Sequence, residues 1–275
     1  MSPFDAFRYD AKRALVVGGA TGMGAAVATL VKDAGAAVLV ADRAPVTLDG
    51  VESYTLDLSD EASIRSFADS VEGPIHALFS CAGVADGTPG IEKINFLGHR
   101  LLIDLLLEGG KLPRGSAIGM ISSAAGMGWR TNLDDVQAYL AVEGFDEASA
   151  WAKENNKADY MWSKMAVNAY VAGECMGLLK QGVRINAILP GPTDTPLAQA
   201  NADTWLTFGA DYREETGISA STPEEQAYPL VFLCSDAAAG ITGVTVFTDA
   251  GYHASGVAGS FETASAAVGF LEGKF

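Results

Sequence analysis

Short, almost wholly apolar runs alternate along the chain with longer stretches of helical periodicity. The runs are rich in β-branched residues and end in glycine or polar residues, which predicts buried strands. They occupy residues 13–19, 36–42, 52–58, 75–83, 116–126, 183–191 and 243–251. Helices are predicted between them at 23–35, from Ser59 onward with "SDEA" as a capping-box-like start, at 94–110, from Tyr160 to about Gly182, and at 223–235.

Strands that are apolar on both faces and alternate with helices are typical of a parallel sheet covered on both sides. Right-handed crossovers then give a doubly wound, Rossmann-type α/β sheet. Neither a linker nor an internal repeat interrupts the pattern, so we expect residues 1–275 to form a single domain. The small-residue-rich tail, 252–275, is expected to pack on the body or on a partner.

The composition excludes some classes of function but does not identify one. With 275 residues, 49% hydrophobic and 19% charged, the chain can bury a sizeable core. The formal charge of −16 and eighteen scattered basic residues argue against nucleic acid as a partner. We expect no metal site, because Cys81, Cys175 and Cys234 are dispersed, and they suit free thiols in a reducing compartment. Without a signal peptide or a membrane-spanning run, the expected location is cytoplasmic.

The first predicted strand runs into "GGATGMG", a turn in which Gly18, Gly22 and Gly24 give the spacing GxxxGxG. Glycines let the backbone approach a pyrophosphate closely, and the following helix directs its N-terminus at the negative charge. The turn, including Thr21 and Met23, is therefore expected to bind a dinucleotide cofactor.

Asp42 ends the second predicted strand. A carboxylate there can accept hydrogen bonds from both ribose hydroxyls of an adenosine and would repel a 2′-phosphate, which favours NAD over NADP. Arg43 follows directly, and its guanidinium could instead hold such a phosphate.

Tyr160 and Lys164 lie four residues apart, on one face of a predicted helix. By itself the pair is equally typical of a helix surface. Behind a nucleotide-binding turn, it indicates acid–base chemistry. A free phenol has a pKa of about 10 and is a poor base at neutral pH, so Lys164 is expected to favour the phenolate and lower the pKa of Tyr160.

The ordered set of short motifs resembles the short-chain dehydrogenase/reductase family over roughly residues 12–251. The matching pieces are "GGATGMG", "AD" at 41–42, "LDL" at 56–58, "CAG" at 81–83, "INFLG" at 94–98, "ISSAAG" at 121–126, "YMWSK" at 160–164 and "PGPTDT" at 190–195. The resemblance implies an oxidoreductase that uses a nicotinamide cofactor on the predicted fold.

Carried over position by position, the resemblance implies three groups of site residues. The catalytic group would be Asn95, Ser123, Tyr160 and Lys164. Ser123 would hold the substrate oxygen, Lys164 would also grip the nicotinamide ribose, and Asn95 would hold a proton-relaying water. The adenosine end would be lined by Asp57, Leu58, Cys81, Ala82 and Gly83. The nicotinamide end would be held by Pro190, Gly191, Thr193 and Thr195.

One segment departs from the family pattern. Residues 124–159 separate Ser123 from Tyr160, where the family usually has little more than a dozen. The insertion, about 127–158, has apolar spacing that predicts two short amphipathic helices, through Leu133, Val136 and Leu140 and then Phe145, Ala148 and Trp151. A similar insertion occurs in the subgroup resembling bacterial 3α-hydroxysteroid dehydrogenase/carbonyl reductases. It could wall the cleft with Met127, Trp129 or Trp151, cover helix faces used for association, or be a surface elaboration.

The expected substrate is an apolar cyclic or aromatic alcohol or its carbonyl compound, such as a hydroxysteroid, terpene or aryl alcohol. A lid over residues 197–217 would contribute Trp205, Phe208 or Tyr212. The resemblance also implies a homo-oligomer, a dimer or tetramer, without nucleic acid or membrane partners.

Three alternatives compete with this interpretation. An extended-type epimerase would have a longer C-terminal domain than the residues after Thr195 provide. A divergent enoyl reductase would place its lysine further from its tyrosine, and position 167 is Val167. A non-catalytic NAD-binding regulator or scaffold protein commonly lacks the tyrosine or lysine, both of which are present here.

Overall fold

The strands of the sheet all run in one direction, so their carboxyl ends meet at one edge of the sheet. A computed structural model of the protein describes residue 2 and residues 4–272. Within them, seven parallel strands form one sheet in the order β3-β2-β1-β4-β5-β6-β7. The strands are β1 (Arg13–Val17), β2 (Ala37–Asp42), β3 (Glu52–Thr55), β4 (Ala77–Ser80), β5 (Ala117–Ile121), β6 (Arg184–Pro190) and β7 (Thr245–Thr248).

Helices connect the strands and cover both faces of the sheet. They are α1 (Gly22–Asp33), α2 (Glu61–Ser70), α3 (Gly98–Glu108), α4 (Leu133–Leu140), α5 (Phe145–Glu154), α6 (Tyr160–Gln181), α7 (Pro196–Gln199), α8 (Ala202–Trp205), α9 (Ala210–Thr216), α10 (Pro223–Cys234), α11 (Tyr252–Ala258) and α12 (Glu262–Leu271). A π-helical turn, Lys93–Leu97, precedes α3, and a 3₁₀ segment, Ala124–Arg130, follows β5.

Successive residues of a strand point to opposite faces, so each strand contributes to two cores. On β1, Leu15 and Val17 join one apolar cluster with α2, α3 and α6, whereas Ala14 and Val16 join another with α1 and α10. Both clusters are buried, which explains why the strands read as continuous apolar runs. The predicted doubly wound Rossmann-type fold is confirmed.

The start of α2 differs from the prediction. The cap is Asp60, whose carboxylate accepts a hydrogen bond from the Ala62 amide at 3.0 Å. Ser59 instead donates its hydroxyl to Asp57 at 2.6 Å. Because Asp57 lies two residues before Ser59, the hydroxyl is used at the strand exit and not in a capping box.

The insertion forms two helices, α4 and α5, as predicted. Val136 of α4 packs with Met165 and Ala169 of α6, so α4 covers an outer face of that helix. Leu133 belongs to the predicted apolar face but is exposed. Leu133 is the first residue of α4 and lies before the part of the helix that packs on α6.

The structure does not show the first of the three roles considered for the insertion, a cleft wall that contains Met127, Trp129 or Trp151. Trp151 stacks on Tyr139 with ring centroids 5.4 Å apart, and Trp129 carries the Arg130 guanidinium over its ring. Met127 is buried with Ala124. These side chains pack against the insertion and its neighbours and do not line the cavity described below.

The tail packs on the body of the protein. Helix α12 lies against the 3₁₀ segment, where Val268 joins the cluster with Ala124. The approach is close, since a Cβ on Gly128 would lie 2.3 Å from the Leu271 carbonyl oxygen. Thr131 donates its hydroxyl to the Glu272 carbonyl at 2.6 Å. The expectations for residues 273–275 lie outside the described residues.

Candidate active site

Two cavities, of about 250 and 280 Å³, open at the carboxyl ends of the strands and share part of their walls. Parallel sheets bind ligands at this edge. The first, which we call the nucleotide cleft, is lined among others by Gly18, Thr21, Gly22, Met23, Gly24, Asp42, Arg43, Asp57, Leu58, Cys81, Ala82, Gly83 and Thr195. The second, the reaction cavity, is lined among others by Ser123, Tyr160, Lys164, Pro190, Gly191, Thr193, Trp205, Phe208 and Leu271. Met23, Cys81, Gly83 and Thr195 line both, so the two form one groove.

The glycine turn leaves no room for side chains. A Cβ on Gly24 would lie 1.9 Å from the Gly18 carbonyl oxygen, and one on Gly18 would lie 2.4 Å from the Ala82 backbone. Gly22 has a φ of +58°, a conformation that favours glycine. Helix α1 begins there, and Thr21 makes no side-chain capping hydrogen bond. Backbone amides at the helix start are therefore available to a pyrophosphate, so the cradle fits a dinucleotide.

Asp42 stands at the end of β2, beside the turn. Its Oδ2 accepts from the Ala20 amide at 2.9 Å, and its Oδ1 accepts from the Ala44 amide at 2.8 Å. A carboxylate has about four lone-pair sites, so two remain for ribose hydroxyls. Arg43 also lines the cleft.

Asp57 and Leu58 follow β3. Hydrogen bonds from the Ser59 hydroxyl and amide lower the pKa of the Asp57 carboxyl, which keeps it ionised. Leu58 is buried and contributes an apolar side chain to the lining of the cleft. The His99 ring lies 3.1 Å from the Ala82 carbonyl oxygen. The backbone of the "CAG" motif is thereby fixed from behind by a residue that the sequence analysis missed.

The nicotinamide-end residues leave β6. The Thr193 hydroxyl donates to the Gly191 carbonyl at 3.0 Å. Thr195 caps α7, since its Oγ1 accepts from the Ala198 amide at 3.1 Å. A Cβ on Gly22 would lie 3.5 Å from Thr195, which shows how closely this loop faces the glycine turn.

Tyr160 is the first residue of α6, and two carboxylates hold that helix start. Asp159 caps it by accepting from the Trp162 amide at 2.8 Å, while Asp86 accepts from the Tyr160 amide at 2.8 Å. Lys164 lies one turn along, with Nζ 5.5 Å from the centre of the Tyr160 ring. This Nζ donates to the Ile121 carbonyl at 3.0 Å. The predicted pair therefore shares one face of the helix and points into the reaction cavity.

Burial dominates the ionisation of the pair. It raises the pKa of Tyr160 to about 12, whereas a hydrogen bond with Ser123 lowers it and the charge of Asp86 raises it. Burial also lowers the pKa of Lys164 to about 8. The structure thus does not show the predicted net lowering of the Tyr160 pKa. The physical reason is that removing both groups from water disfavours both charged forms.

Asn95 lies behind the cavity wall, 1% exposed, in the π-helical turn. Its Oδ1 accepts from the Val84 amide at 2.8 Å. Its Nδ2 donates to the Val84 carbonyl at 3.0 Å and to Ser163 Oγ at 3.2 Å. Among the predicted catalytic and cofactor-binding residues, Asn95 alone does not line the groove. It joins the loop after β4 to the helix that carries Lys164.

The lid segment reaches the reaction cavity through α8. The Trp205 ring packs on the Tyr160 ring with centroids 5.0 Å apart. Phe208 also lines the cavity, whereas Tyr212 lies next to it and packs on Tyr252. Leu271 of the tail completes the wall and was missed, because nothing in a small-residue-rich tail indicates where its helices fold back.

The described part of the chain contains neither a membrane-spanning helix nor a cluster of metal ligands. None of the helices in that part of the chain combines the length and apolarity needed to span a bilayer. No cluster of three or more His, Cys, Asp or Glu side chains there could hold a metal ion.

Comparison with known proteins gives the chain many relatives. A family model described as enoyl-(acyl carrier protein) reductase matches residues 143–253. The cis-4-hydroxycyclohexanecarboxylate dehydrogenase of Sinomonas cyclohexanicum is 31% identical over 255 residues, which is 88% of this chain and 96% of the relative. The coniferyl-alcohol dehydrogenase of Pseudomonas sp. (strain HR199 / DSM 7063) is 27% identical, over 87% of this chain and 96% of the relative.

A solved structure resembles the chain over the same extent. The 3-alpha-hydroxysteroid dehydrogenase from Pseudomonas sp. B-0831, in complex with NADH, superposes with a TM-score of 0.73 and 29% sequence identity. The match covers 88% of this chain and 97% of that chain.

Proposed function

The chain belongs to the short-chain dehydrogenase/reductase family, and on that premise we propose that it is an NAD-dependent dehydrogenase for apolar cyclic or aromatic alcohols. The family binds a nicotinamide cofactor, and the relatives above support oxidoreductase chemistry. The observation that carries the proposal is the groove itself. It joins the glycine turn and Asp42 to an apolar cavity that contains Tyr160, Lys164 and Ser123.

Interconverting an alcohol and a carbonyl compound moves a hydride at carbon and a proton at oxygen. The nicotinamide, when bound, supplies or accepts the hydride. Tyr160 takes the proton from the alcohol at its phenolic oxygen, or returns it to the carbonyl. Ser123 donates a hydrogen bond to the substrate oxygen and keeps it beside the phenol.

Lys164 and Asn95 support this transfer. The ammonium of Lys164, 5.5 Å from the Tyr160 ring, favours the phenolate electrostatically, and it also holds the nicotinamide ribose. Asn95, whose side chain bonds Val84 and Ser163, would hold the water through which the proton leaves. The remaining predicted residues of the groove bind the two ends of the cofactor, and Asp42 selects NAD.

Apolar walls support a ring-bearing substrate. Trp205, Phe208, Leu271 and Met23 surround the cavity, and aromatic faces bind ring systems well. The names of the three relatives each describe a hydroxyl compound that contains a ring. A hydroxysteroid, terpene alcohol or aryl alcohol therefore suits the cavity better than an open-chain polyol.

Enoyl reduction is the less suitable chemistry for this site, although the matching family model carries that name. An enoyl reductase would place its lysine further from its tyrosine. In this chain Lys164 follows Tyr160 by four residues, and position 167, where such a lysine would lie, is Val167. A serine beside the phenol also suits a carbonyl or carbinol oxygen.

We further propose that residues 1–275 act as one domain in a cytoplasmic homo-oligomer, a dimer or tetramer. The free thiols of Cys81, Cys175 and Cys234 favour a reducing compartment. Met176 and Leu179 are exposed on α6, and such side chains favour association between copies.

The test is NADH formation from NAD⁺ with panels of hydroxysteroids, terpene alcohols and aryl alcohols. We expect turnover with one class, and a loss of about 10²–10⁴-fold in Tyr160→Phe, because general acid–base catalysis contributes this much. NADP⁺ is the cofactor control, and Tyr139→Phe is the matched control for loss of a phenol elsewhere.

Two results would contradict the proposal in different ways. Equal activity of Tyr160→Phe would remove Tyr160 from the chemistry. Tight NAD⁺ binding without turnover of any alcohol would favour the regulator or scaffold interpretation instead.

A further inference from the structure

The π-helical turn that carries Asn95 is held by the insertion. Glu92 directly precedes the turn, and its side chain is 2% exposed. Its Oε1 accepts from Ser149 Oγ at 2.6 Å and lies 3.1 Å from Lys153 Nζ, both on α5. The Lys153 ammonium also donates to Ser149 Oγ at 3.0 Å. A buried carboxylate is costly without partners, so this three-residue network fixes Glu92 against the insertion.

A second contact holds the next residue. Lys93 pairs with Asp146 at 2.6 Å, and its ammonium lies 4.8 Å from the centre of the Phe145 ring. Both partners belong to the first turn of α5. Helix α5 of the insertion therefore contacts two consecutive residues, Glu92 and Lys93, at the start of the π-helical turn.

The other end of the turn reaches the catalytic helix. Asn95 donates to Ser163 Oγ at 3.2 Å, and the Ser163 hydroxyl donates to the Tyr160 carbonyl at 2.7 Å. Ser163 also directly precedes Lys164. A continuous series of contacts thus runs from α5 through Glu92 and Asn95 to the first turn of α6. π-Helical turns are rare, and they are often found at functional sites.

We propose that the insertion is a positioning element for the reaction, and that Glu92, Ser149 and Lys153 hold Asn95 in place. The proposal rests on the function proposed above for the part that concerns catalysis. It assigns a role to a segment that does not itself line the reaction cavity.

A matched control lies within the same insertion. Lys157, after α5, pairs with Asp135 of α4 at 2.6 Å, and this pair does not touch residues 92–97. Both pairs stabilise the insertion. Of these two pairs, the Glu92–Lys153 pair contacts the residue that precedes the turn carrying Asn95.

The test compares Lys153→Met with Lys157→Met by hydrogen exchange of residues 92–97 and by steady-state kinetics with NAD⁺. In Lys153→Met, Glu92 keeps the hydrogen bond from the Ser149 hydroxyl but loses the positive charge of the Lys153 ammonium. We expect exchange in the turn to become about tenfold faster. We expect kcat to fall about tenfold while KM for NAD⁺ stays within about twofold, because misplacing a catalytic group affects the chemical step more than binding. Lys157→Met should keep wild-type exchange in the turn and wild-type kcat.

Two further variants separate positioning from stability. Glu92→Gln combined with Lys153→Met removes both charges but keeps an acceptor for Ser149, so exchange and kcat should return toward wild type. In an Asn95→Ala background, Lys153→Met should cost little further in kcat, because residues that act through one another are not additive.

Unchanged exchange in the turn of Lys153→Met, or kcat losses that simply add to that of Asn95→Ala, would overturn the proposal. So would a lower melting temperature with wild-type kcat and exchange. If the wild-type protein turned over no alcohol, the proposed function would fail, and the exchange comparison would still decide whether the insertion holds the turn.

Discussion

At the scale of single residues, side chains of the groove can shape the backbone as well as line the cleft. Asp42 ties the glycine turn to the end of β2 through the amides of Ala20 and Ala44. The same carboxylate faces the nucleotide cleft. A substitution that keeps one oxygen therefore removes the charge and one of the two hydrogen bonds, and it leaves an acceptor for the Ala20 amide.

Asp42→Asn should exchange the cofactor preference without collapsing the turn. The amide oxygen can still accept from Ala20, but the negative charge that repels a 2′-phosphate is gone. Hydrogen bonds to charged groups contribute about 1.5–3 kcal/mol, so kcat/KM for NAD⁺ should fall about 10–100-fold while that for NADP⁺ rises. Steady-state kinetics with both cofactors measure the ratio.

Arg43→Ala, added to Asp42→Asn, is the control. If Arg43 holds the phosphate that the first substitution admits, the double variant should lose the gain with NADP⁺. An unchanged NAD⁺/NADP⁺ ratio in Asp42→Asn would mean that Asp42 serves the turn alone.

At the scale of elements, the lid segment is anchored at one end and contacts Tyr160 at the other. Behind it, Tyr212 packs edge-on to Tyr252 and Phe261, with ring centroids 5.4 and 5.2 Å apart. In front, Trp205 lies on Tyr160. Tyr252 and Phe261 belong to the tail, so the tail supports the lid as well as the cavity wall.

Trp205→Ala should discriminate between substrates by size. Removing the indole takes away a flat surface beside the phenol, which a ring substrate would contact and a small alcohol would not. We expect kcat/KM for cyclohexanol relative to propan-2-ol to fall roughly tenfold, since about 1.4 kcal/mol of lost contact is a factor of ten.

Trp205→Phe keeps an aromatic face and is the control for this substitution. It should restore most of the preference for the ring substrate. An equal loss with both alcohols in Trp205→Ala would instead indicate that the indole maintains Tyr160 itself.

At the scale of the whole molecule, the sequence predicted those features that residues close together in the chain determine. The fold followed from apolar runs, and the glycine turn and the Tyr160–Lys164 pair followed from spacing within a few residues. Asp86, His99 and Leu271 could not be found in this way, because each meets its partner only after distant segments fold together. The sign of the Tyr160 pKa shift was missed for the same reason, since burial is a property of the whole fold.

Folding also links stability to pH through two buried groups. Burial lowers the pKa of His99 to about 4 and raises the pKa of Asp104 to about 6. Between about pH 6.5 and 4 the unfolded chain binds a proton at His99 that the folded chain does not, so acidification lowers the free energy of unfolding. Asp104 acts in the opposite direction, because the folded chain keeps its proton up to about pH 6 and the unfolded chain only to about 3.9.

His99→Gln and Asp104→Asn should separate the two effects in urea unfolding at pH 7, 6 and 5. For His99 the full effect is on the order of 3 kcal/mol, and His99→Gln should remove that part of the acid-induced loss. Asp104→Asn lacks the opposing gain, so its free energy of unfolding should fall more steeply from pH 6 to 5 than that of wild type. Parallel pH profiles for the wild type and both variants would mean that neither group titrates differently in the folded chain. If the wild type instead became more stable relative to His99→Gln on acidification, the pH dependence would have the opposite sign. His99 would then be charged in the folded chain.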